Sequence, residues 1–198
     1  MEEKQQKGST LNEYVYFEYF TRFLTNDKKW YNKIMSEIEL EQNQVIVFGK
    51  SYLEPRLTAI HGIDSVLDKN YVYSKSTRKL RPMTPSLKKI RDVIEFYTEI
   101  PFDFVLINFY RTGSDKVGWH SDDEPMMDCS NIVSISLGGE RIFKFRDKKT
   151  KELVWKESLE SGSLLWMKSG CQENLEHEVP KTTKHVEPRL NLTFRKFK

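Results

Sequence analysis

The chain has 198 residues, of which 38% are hydrophobic and 31% charged, and its formal net charge is +3. This length suits one folded unit with a sizeable core. No apolar run approaches the roughly 20 residues of a membrane-spanning helix, and residues 1–12 lack the apolar segment of a signal peptide. We therefore expect an intracellular protein without a membrane partner. Two cysteines, Cys129 and Cys171, are too few for a disulfide framework, and we interpret both as free thiols.

The basic residues are concentrated in three clusters, although the net charge is mild. They fall within residues 78–91, 144–151 and 181–198. Such clusters are typical of phosphate-binding surfaces. A solvated, lysine-rich surface explains each cluster equally well when it is taken alone, so both interpretations stay open.

The first third of the chain predicts a tail, a strand and a helix. Residues 1–13 are expected to be disordered, and residues 14–198 to form one domain. Residues 14–17 are aromatic and β-branched, as in a strand. Apolar positions at helical spacing predict a helix over residues 25–39, capped by Asn26 or Asp27.

The next segment predicts strands and a second helix. Residues 44–50 form an apolar run that ends in glycine, which fits a strand with a turn or a hairpin with Val47, Phe48 and Gly49 at its tip. Residues 55–58 are expected to be extended because of Pro55, and residues 71–74 have strand propensity. Apolar residues at intervals of three and four predict an amphipathic helix over residues 84–99.

After Pro101 the pattern becomes that of a β protein. Short apolar or alternating runs separated by turn residues favour a sandwich or a jelly roll, with the two helices packed on its outside. The predicted strands are residues 102–110, 131–137, 141–146, 153–155, 164–167 and 189–195.

A histidine and a carboxylate lie two residues apart at His120 and Asp122. On an extended chain such residues face the same side, and two imidazoles with one carboxylate form the facial triad of non-haem Fe(II) oxygenases. His-x-Asp alone is a weak signal. Of the other histidines, His61 is predicted to lie in a loop and His185 in an exposed polar segment. His177, which follows a loop, is the preferred third ligand.

The last predicted strand separates its polar and apolar side chains by period two. Its polar face is either solvated or part of a site for a small dicarboxylate, because arginine binds carboxylates bidentately and keeps its charge. Asn108 and Tyr110 on the predicted central strand could donate hydrogen bonds to the same ligand. The four polar residues of the last strand are Arg189, Asn191, Thr193 and Arg195.

Together these motifs resemble the AlkB family of Fe(II)- and 2-oxoglutarate-dependent dioxygenases. The resemblance covers the histidine–aspartate pair, His177, residues 108–113 and residues 188–195, and it extends from about Phe17 to the end of the chain. It implies a mainly β fold with flanking helices (α+β), namely a double-stranded β-helix, or jelly roll. The catalytic core would span about residues 101–198, and a nucleotide-recognition lid about residues 44–82.

The resemblance also implies the cofactor, the co-substrates and the reaction. The triad would hold Fe(II), with 2-oxoglutarate and O2 as co-substrates. Arg189 would bind the distal carboxylate of 2-oxoglutarate and Arg195 would lie near its other end. The implied reaction is oxidative demethylation of bases such as 1-methyladenine and 3-methylcytosine in DNA, with release of succinate, CO2 and formaldehyde. The other residues assigned to the co-substrate are Asn108, Tyr110, Asn191 and Thr193.

Residues 47–50 followed by Pro55 and Arg56 are similar to the eukaryotic branch of the family that repairs double-stranded DNA. The resemblance implies that Phe48 fills the gap left by an extruded base and that Arg56 contacts the opposite strand. Tyr73, where the family has phenylalanine, would stack on the flipped base across from His120. Other residues assigned to the base or the DNA are Val47, Gly49, Tyr71, Ser74, Asp123 and Glu124, with Glu124 preferred for reading the base edge.

Two alternatives to this function stay open. The segment after Arg146 is shorter than in the family member, so the substrate could be single-stranded DNA or RNA, with Phe48 packed in the core. A more distant alternative is a non-catalytic protein that binds damaged nucleic acid. We expect a monomer, located in the nucleus if the source is a eukaryote.

Overall fold

The computed structural model describes residues 16–47, 50–73 and 76–198. Several predictions fall outside these ranges. They concern the tail over residues 1–13, the start of the first predicted strand, and positions 48, 49 and 74.

Two sheets that face each other form a jelly roll, as predicted. The large sheet has the strand order β1-β13-β10-β15-β8-β4-β7, and the small sheet has the order β12-β11-β14-β9. Nearly all neighbouring strands are antiparallel; β4 and β7 are parallel. The strands of the large sheet are β1 (Phe17–Phe20), β4 (Leu57–Gly62), β7 (Arg81–Pro82), β8 (Phe104–Tyr110), β10 (Met127–Gly138), β13 (Leu164–Met167) and β15 (Arg189–Phe197). Those of the small sheet are β9 (Val117–His120), β11 (Arg141–Asp147), β12 (Leu153–Leu159) and β14 (Leu175–Val179).

Two further hairpins form separate two-stranded sheets beside the jelly roll. The first pairs β2 (Gln44–Val47) with β3 (Lys50–Leu53), and the second pairs β5 (Asn70–Tyr73) with β6 (Ser76–Lys79). Val47 lies opposite Lys50, which confirms the hairpin interpretation of this segment over the single strand. Strand β2 also lies beside β6, so the two hairpins are in contact.

Helices α1 (Asp27–Glu37) and α2 (Pro85–Thr98) pack on the outside of the large sheet, as predicted. Helix α2 starts after Thr84, whose hydroxyl accepts a hydrogen bond from the Leu87 N–H. Helix α1 starts later than predicted because Asn26 is left-handed and gives no side-chain cap. Two short elements were not predicted, a 3-10 helix (Asp64–Val66) and α3 (Cys171–Asn174). No helix among the described residues is both long and apolar enough to cross a membrane.

Three sequence-based expectations about strands were wrong or incomplete. The prediction that His61 lies in a loop was wrong: it is buried within β4, with its Nδ1 2.7 Å from the Pro82 carbonyl oxygen. Strand β1 begins at Phe17, the last residue of the predicted strand, and continues to Phe20. Strands β9 and β14 were not predicted, because their residues are too polar or too few to give a strand signal.

The alternation of apolar and polar side chains along β15 determines where the candidate site lies. Leu190, Leu192 and Phe194 are fully buried in the core that lies between the large sheet and the helices. The alternate residues therefore face the space between the two sheets.

We expect Phe194→Ala to lower the free energy of unfolding by about 3–5 kcal/mol, since truncation leaves a cavity in a packed core. Phe96→Ala is the matched control, because Phe96 is 90% exposed on α2, and it should change stability by no more than about 0.5 kcal/mol. Urea denaturation of both variants measures the difference. Equal effects would contradict the assigned core.

Candidate active site

Two strands of the small sheet bring the predicted triad together. His120 ends β9, and it pairs with His177 in the middle of β14. Asp122 follows two residues after His120, and one ligand atom from each residue of the triad lies within 4.8 Å of the others. The Nε2 atom of each histidine is 3.7 Å from an oxygen of Asp122. These three residues could hold a metal ion.

The electrostatics of the triad favour the protonation states that metal binding needs. Burial lowers the pKa of His177 to about 3, with a further contribution from the neighbouring His120. Burial opposes ionisation of Asp122, but the charges of Arg195 and the two histidines outweigh it and lower the pKa of this carboxyl group to about 2. A neutral His177 and an ionised Asp122 are therefore present at neutral pH, as metal ligation requires.

Hydrogen bonds from the surrounding loops orient the ligand residues. His120 Nδ1 lies 2.8 Å from the Gly118 carbonyl oxygen, which leaves Nε2 toward Asp122. The Asp122 N–H donates to Gln172 Oε1 at 2.9 Å, and the Ser121 hydroxyl donates to the Leu175 carbonyl at 2.9 Å. Gln172 was not predicted, because it lies 50 residues from its partner and belongs to no sequence motif.

A cavity beside the triad is lined by the polar residues that alternate along β15. Arg189 is fully buried in its wall, and its Nη2 donates to the Ser136 hydroxyl at 2.9 Å. Its Nε and Nη1 have no hydrogen-bond partner among the described residues, although the guanidinium lies over the Tyr110 ring at 5.3 Å. Buried donors without a partner are rare, so this arginine fits an anionic ligand.

Asn191 and Thr193 are also buried, so the interpretation of this polar face as solvated is wrong. Asn191 Nδ2 donates to the Ser134 hydroxyl at 2.6 Å, and the Thr193 hydroxyl donates to Asn191 Oδ1 at 3.2 Å. These hydrogen bonds fix the orientation of the polar side chains between the two sheets.

Arg195 joins the cavity to the triad. Its Nη2 is 2.7 Å from Asp122 Oδ1, and its Nη1 is 3.3 Å from Glu124 Oε2. The arginine is almost fully buried. Its single positive charge is therefore shared by two carboxylates inside the protein.

The structure places Arg56 inside the molecule rather than on its surface. Its Nε donates to Asn108 Oδ1 at 2.6 Å, and both side chains line the cavity. Arg56 is thus buried in this structure, and its predicted contact with the opposite strand of a duplex stays a prediction. A guanidinium can only donate, so the amide oxygen of Asn108 faces Arg56 and its amide nitrogen is left to donate elsewhere.

The residues predicted to contact the base or the DNA are only partly described. Asp123 is exposed and pairs with Lys148 at 3.0 Å. Glu124 pairs with Arg195 at the cavity. The side chains of Val47, Tyr71 and Tyr73, and the whole of Phe48, Gly49 and Ser74, lie outside the described part of the structure, and their roles stay predictions.

Many residues of the basic clusters have acidic partners. In the first cluster, Arg78 is buried against Glu54 at 3.0 Å. In the second, Lys144 pairs with Glu178 at 2.9 Å and Arg146 with Glu176 at 2.7 Å. These pairs favour a balanced surface over a phosphate-binding patch for the second cluster.

A jelly roll that carries two histidines and one carboxylate beside a buried arginine is the arrangement of an iron- and 2-oxoglutarate-dependent oxygenase. The family model described as the 2OG-Fe(II) oxygenase superfamily matches residues 15–195, and the chain belongs to this family. This family uses Fe(II), 2-oxoglutarate and O2.

Within the superfamily, its relatives are AlkB homologues, as the sequence motifs predicted. The chain is 39% identical over 173 residues to human "Alpha-ketoglutarate-dependent dioxygenase alkB homolog 3", an alignment that covers 82% of this chain and 59% of the relative. It is 37% identical over 181 residues to mouse "DNA oxidative demethylase ALKBH2", which covers 83% of this chain and 74% of the relative. The chain thus spans about 59% of the length of the alkB homolog 3 proteins that it matches.

A solved structure described as OsALKBH1 supports the fold. It superposes with a TM-score of 0.62 at 20% sequence identity, and the match covers 91% of this chain and 96% of the other. At this identity, the likeness concerns the fold alone.

We expect His177→Ala to weaken Mn(II) binding beyond the roughly 10–100-fold that loss of an outer-shell partner costs, because it removes a ligand. His185→Ala is the matched control, since His185 is 92% exposed. Calorimetric titration with Mn(II) measures both affinities. Unchanged binding by the His177 variant would place the metal elsewhere.

Proposed function

We propose that the protein is an AlkB-type oxidative demethylase of nucleic acids. Its predicted substrates are 1-methyladenine and 3-methylcytosine in DNA. The observation that carries the proposal is the close approach of the His120, Asp122 and His177 ligand atoms in a cavity that Arg189, a buried arginine with unpartnered donors, also lines. The relatives' names, DNA oxidative demethylase among them, support this class of substrate.

The triad fits Fe(II) by its chemistry. Two neutral imidazoles and one carboxylate are the donor set of non-haem iron oxygenases, and burial keeps His177 neutral. When bound, iron with 2-oxoglutarate and O2 supplies the oxidising chemistry that yields succinate, CO2 and a hydroxylated methyl group, which leaves as formaldehyde. The protein contributes the positions of the ligands and the exclusion of water.

The cavity has hydrogen-bond donors at both of its ends, one set for each carboxylate of a dicarboxylate. Arg189 offers Nε and Nη1 to one carboxylate, and Tyr110 lies beside its guanidinium. Near the triad, the Asn108 amide nitrogen and Arg195 are the donors for the other carboxylate, since the Asn108 oxygen already faces Arg56. Charge-assisted hydrogen bonds of this kind are about twice as strong as neutral ones.

The methylated base has to leave its stack to reach the triad. His120 is partly exposed at the cavity and offers a ring for the base to pack on, and the second hairpin carries Tyr73 for the opposite side. The first hairpin carries Phe48 at the position of the proposed wedge, since an apolar side chain offsets part of the unstacking cost. Duplex DNA is therefore the proposed substrate form.

A second candidate is demethylation of single-stranded DNA or RNA. It is favoured by the short connection between β11 and β12, which leaves little chain to contact a second strand. A purely binding role is disfavoured, because a binding protein needs no complete ligand triad.

Arg189→Gln should raise the KM for 2-oxoglutarate by at least about 30-fold, because losing one partner of a buried charge pair costs about 2–5 kcal/mol. Arg91→Gln, which removes an arginine on the outer helix α2, is the control and should leave KM unchanged. Succinate formation at varied 2-oxoglutarate concentration measures both values. Wild-type KM in the Arg189 variant would move the co-substrate to another site.

Matched single-stranded and duplex oligonucleotides with one 1-methyladenine test the substrate form, with Fe(II), 2-oxoglutarate and ascorbate. We expect formaldehyde release from both. Phe48→Ala should lower activity on the duplex about ten-fold more than on the single strand, within the few kcal/mol of unstacking.

Tyr52→Ala is the control for the Phe48 variant, since Tyr52 is an exposed aromatic residue of the same hairpin. Equal losses on both substrates in the Phe48 variant would favour the second candidate. Release of no formaldehyde from either substrate would refute the proposed function.

A further inference from the structure

A buried carboxylate joins the two hairpins that lie beside the jelly roll. Glu54 directly follows β3 of the first hairpin and is only 1% exposed. Its backbone N–H donates to the Asn43 carbonyl at 2.8 Å, just before β2. Buried carboxylates are rare unless they are paired. The partners that compensate the charge of Glu54 therefore indicate its role.

Two buried arginines share one oxygen of this carboxylate. Arg78, on β6 of the second hairpin, places Nη2 3.0 Å from Glu54 Oε1, and Arg56 places Nη2 3.4 Å from the same atom. The oxygen is aligned with neither guanidinium as a regular hydrogen bond. Thr58 on β4 bridges the pair, since its hydroxyl lies 3.4 Å from Glu54 Oε2 and 3.2 Å from Arg78 Nη1.

The contacts continue from Glu54 into the co-substrate cavity. Arg56 touches Glu54 with one nitrogen and donates from Nε to Asn108 Oδ1 at 2.6 Å. That hydrogen bond decides which end of the Asn108 amide faces the cavity. A movement of the second hairpin would move Arg78 and so change its ion pair with Glu54. Because Glu54 also contacts Arg56, the hydrogen bond from Arg56 to Asn108 would change as well.

Fold stability alone gives a weak reason for this network. Burying an ion pair costs desolvation, and apolar replacements are often no less stable. Removing one partner, however, leaves a buried charge without compensation. The free energy of the cavity therefore depends on where the hairpins lie, which is the condition for coupling between two binding sites.

We propose that Glu54 is a positioning residue that couples the two hairpins to the co-substrate cavity. Nucleic acid that docks on the hairpins then tightens 2-oxoglutarate binding through Arg78, Glu54, Arg56 and Asn108. By thermodynamic linkage, 2-oxoglutarate tightens nucleic-acid binding by the same factor. This inference rests on the proposed function, because it needs nucleic acid to bind at the hairpins.

Calorimetric titration of 2-oxoglutarate into the Mn(II) protein tests the coupling without turnover, in the absence and presence of a saturating single-stranded oligonucleotide with one 1-methyladenine. For the wild type we expect the oligonucleotide to lower the Kd about five-fold, the lower end of usual coupling. Glu54→Gln and Arg78→Gln should each reduce this factor to below about two-fold. The double variant should lose no more than either single variant, because both act through one contact.

Glu18→Gln is the matched control, since it removes an ion pair with Lys168 far along the large sheet, and it should keep the wild-type factor. Thermal unfolding checks that each variant is folded, and Arg78→Gln alone decides the matter if Glu54→Gln is unfolded. An unchanged factor in the folded variants would overturn the proposal, as would no coupling in the wild type. Formaldehyde release by the wild type with Fe(II) would show that the proposed function holds even if the coupling is absent.

Discussion

The burial of β15 on both faces is the constraint on which the site depends. One face carries Leu190, Leu192 and Phe194 into the core below the helices, so the opposite face has to lie between the sheets. That face places two arginines where water is scarce, and an arginine cannot escape the cost by losing its proton. The positive charge of each arginine must therefore be compensated either by carboxylates of the protein or by an anionic ligand.

The two arginines are compensated differently, and this difference defines the cavity. Arg195 has Asp122 and Glu124 as partners, whereas Arg189 has the Ser136 hydroxyl and the Tyr110 ring. Asp122 thus has two roles, as a candidate metal ligand and as the counter-charge of Arg195. A metal ion bound by Asp122 would share the carboxylate with Arg195 and weaken that ion pair. Metal binding and carboxylate binding at that end would then depend on each other.

The sequence predicted what is local and periodic. Period-two alternation identified the polar face of β15, and the His-x-Asp spacing with the family resemblance identified the triad that the structure brings together. The contacts of Arg56, Gln172 and Glu54 were not predicted, since they join partners 50 or more residues apart or have no fixed spacing. His61 was placed in a loop because a neighbouring glycine resembles a turn, although strand pairing with β8 decides its environment.

The triad and the proposed nucleic-acid surface lie in different parts of the molecule. Within the described ranges, the triad is held by strands of the small sheet and by hydrogen bonds that involve Leu175 and Gln172, and neither residue belongs to a hairpin. The hairpins are small sheets of two strands, which are marginally stable by themselves, so their position depends on contacts such as those of Glu54. If the hairpins bind nucleic acid as proposed, changes in them would alter which strand is admitted while the triad stays intact. The buried ion pairs would then be the physical link between the hairpins and the cavity.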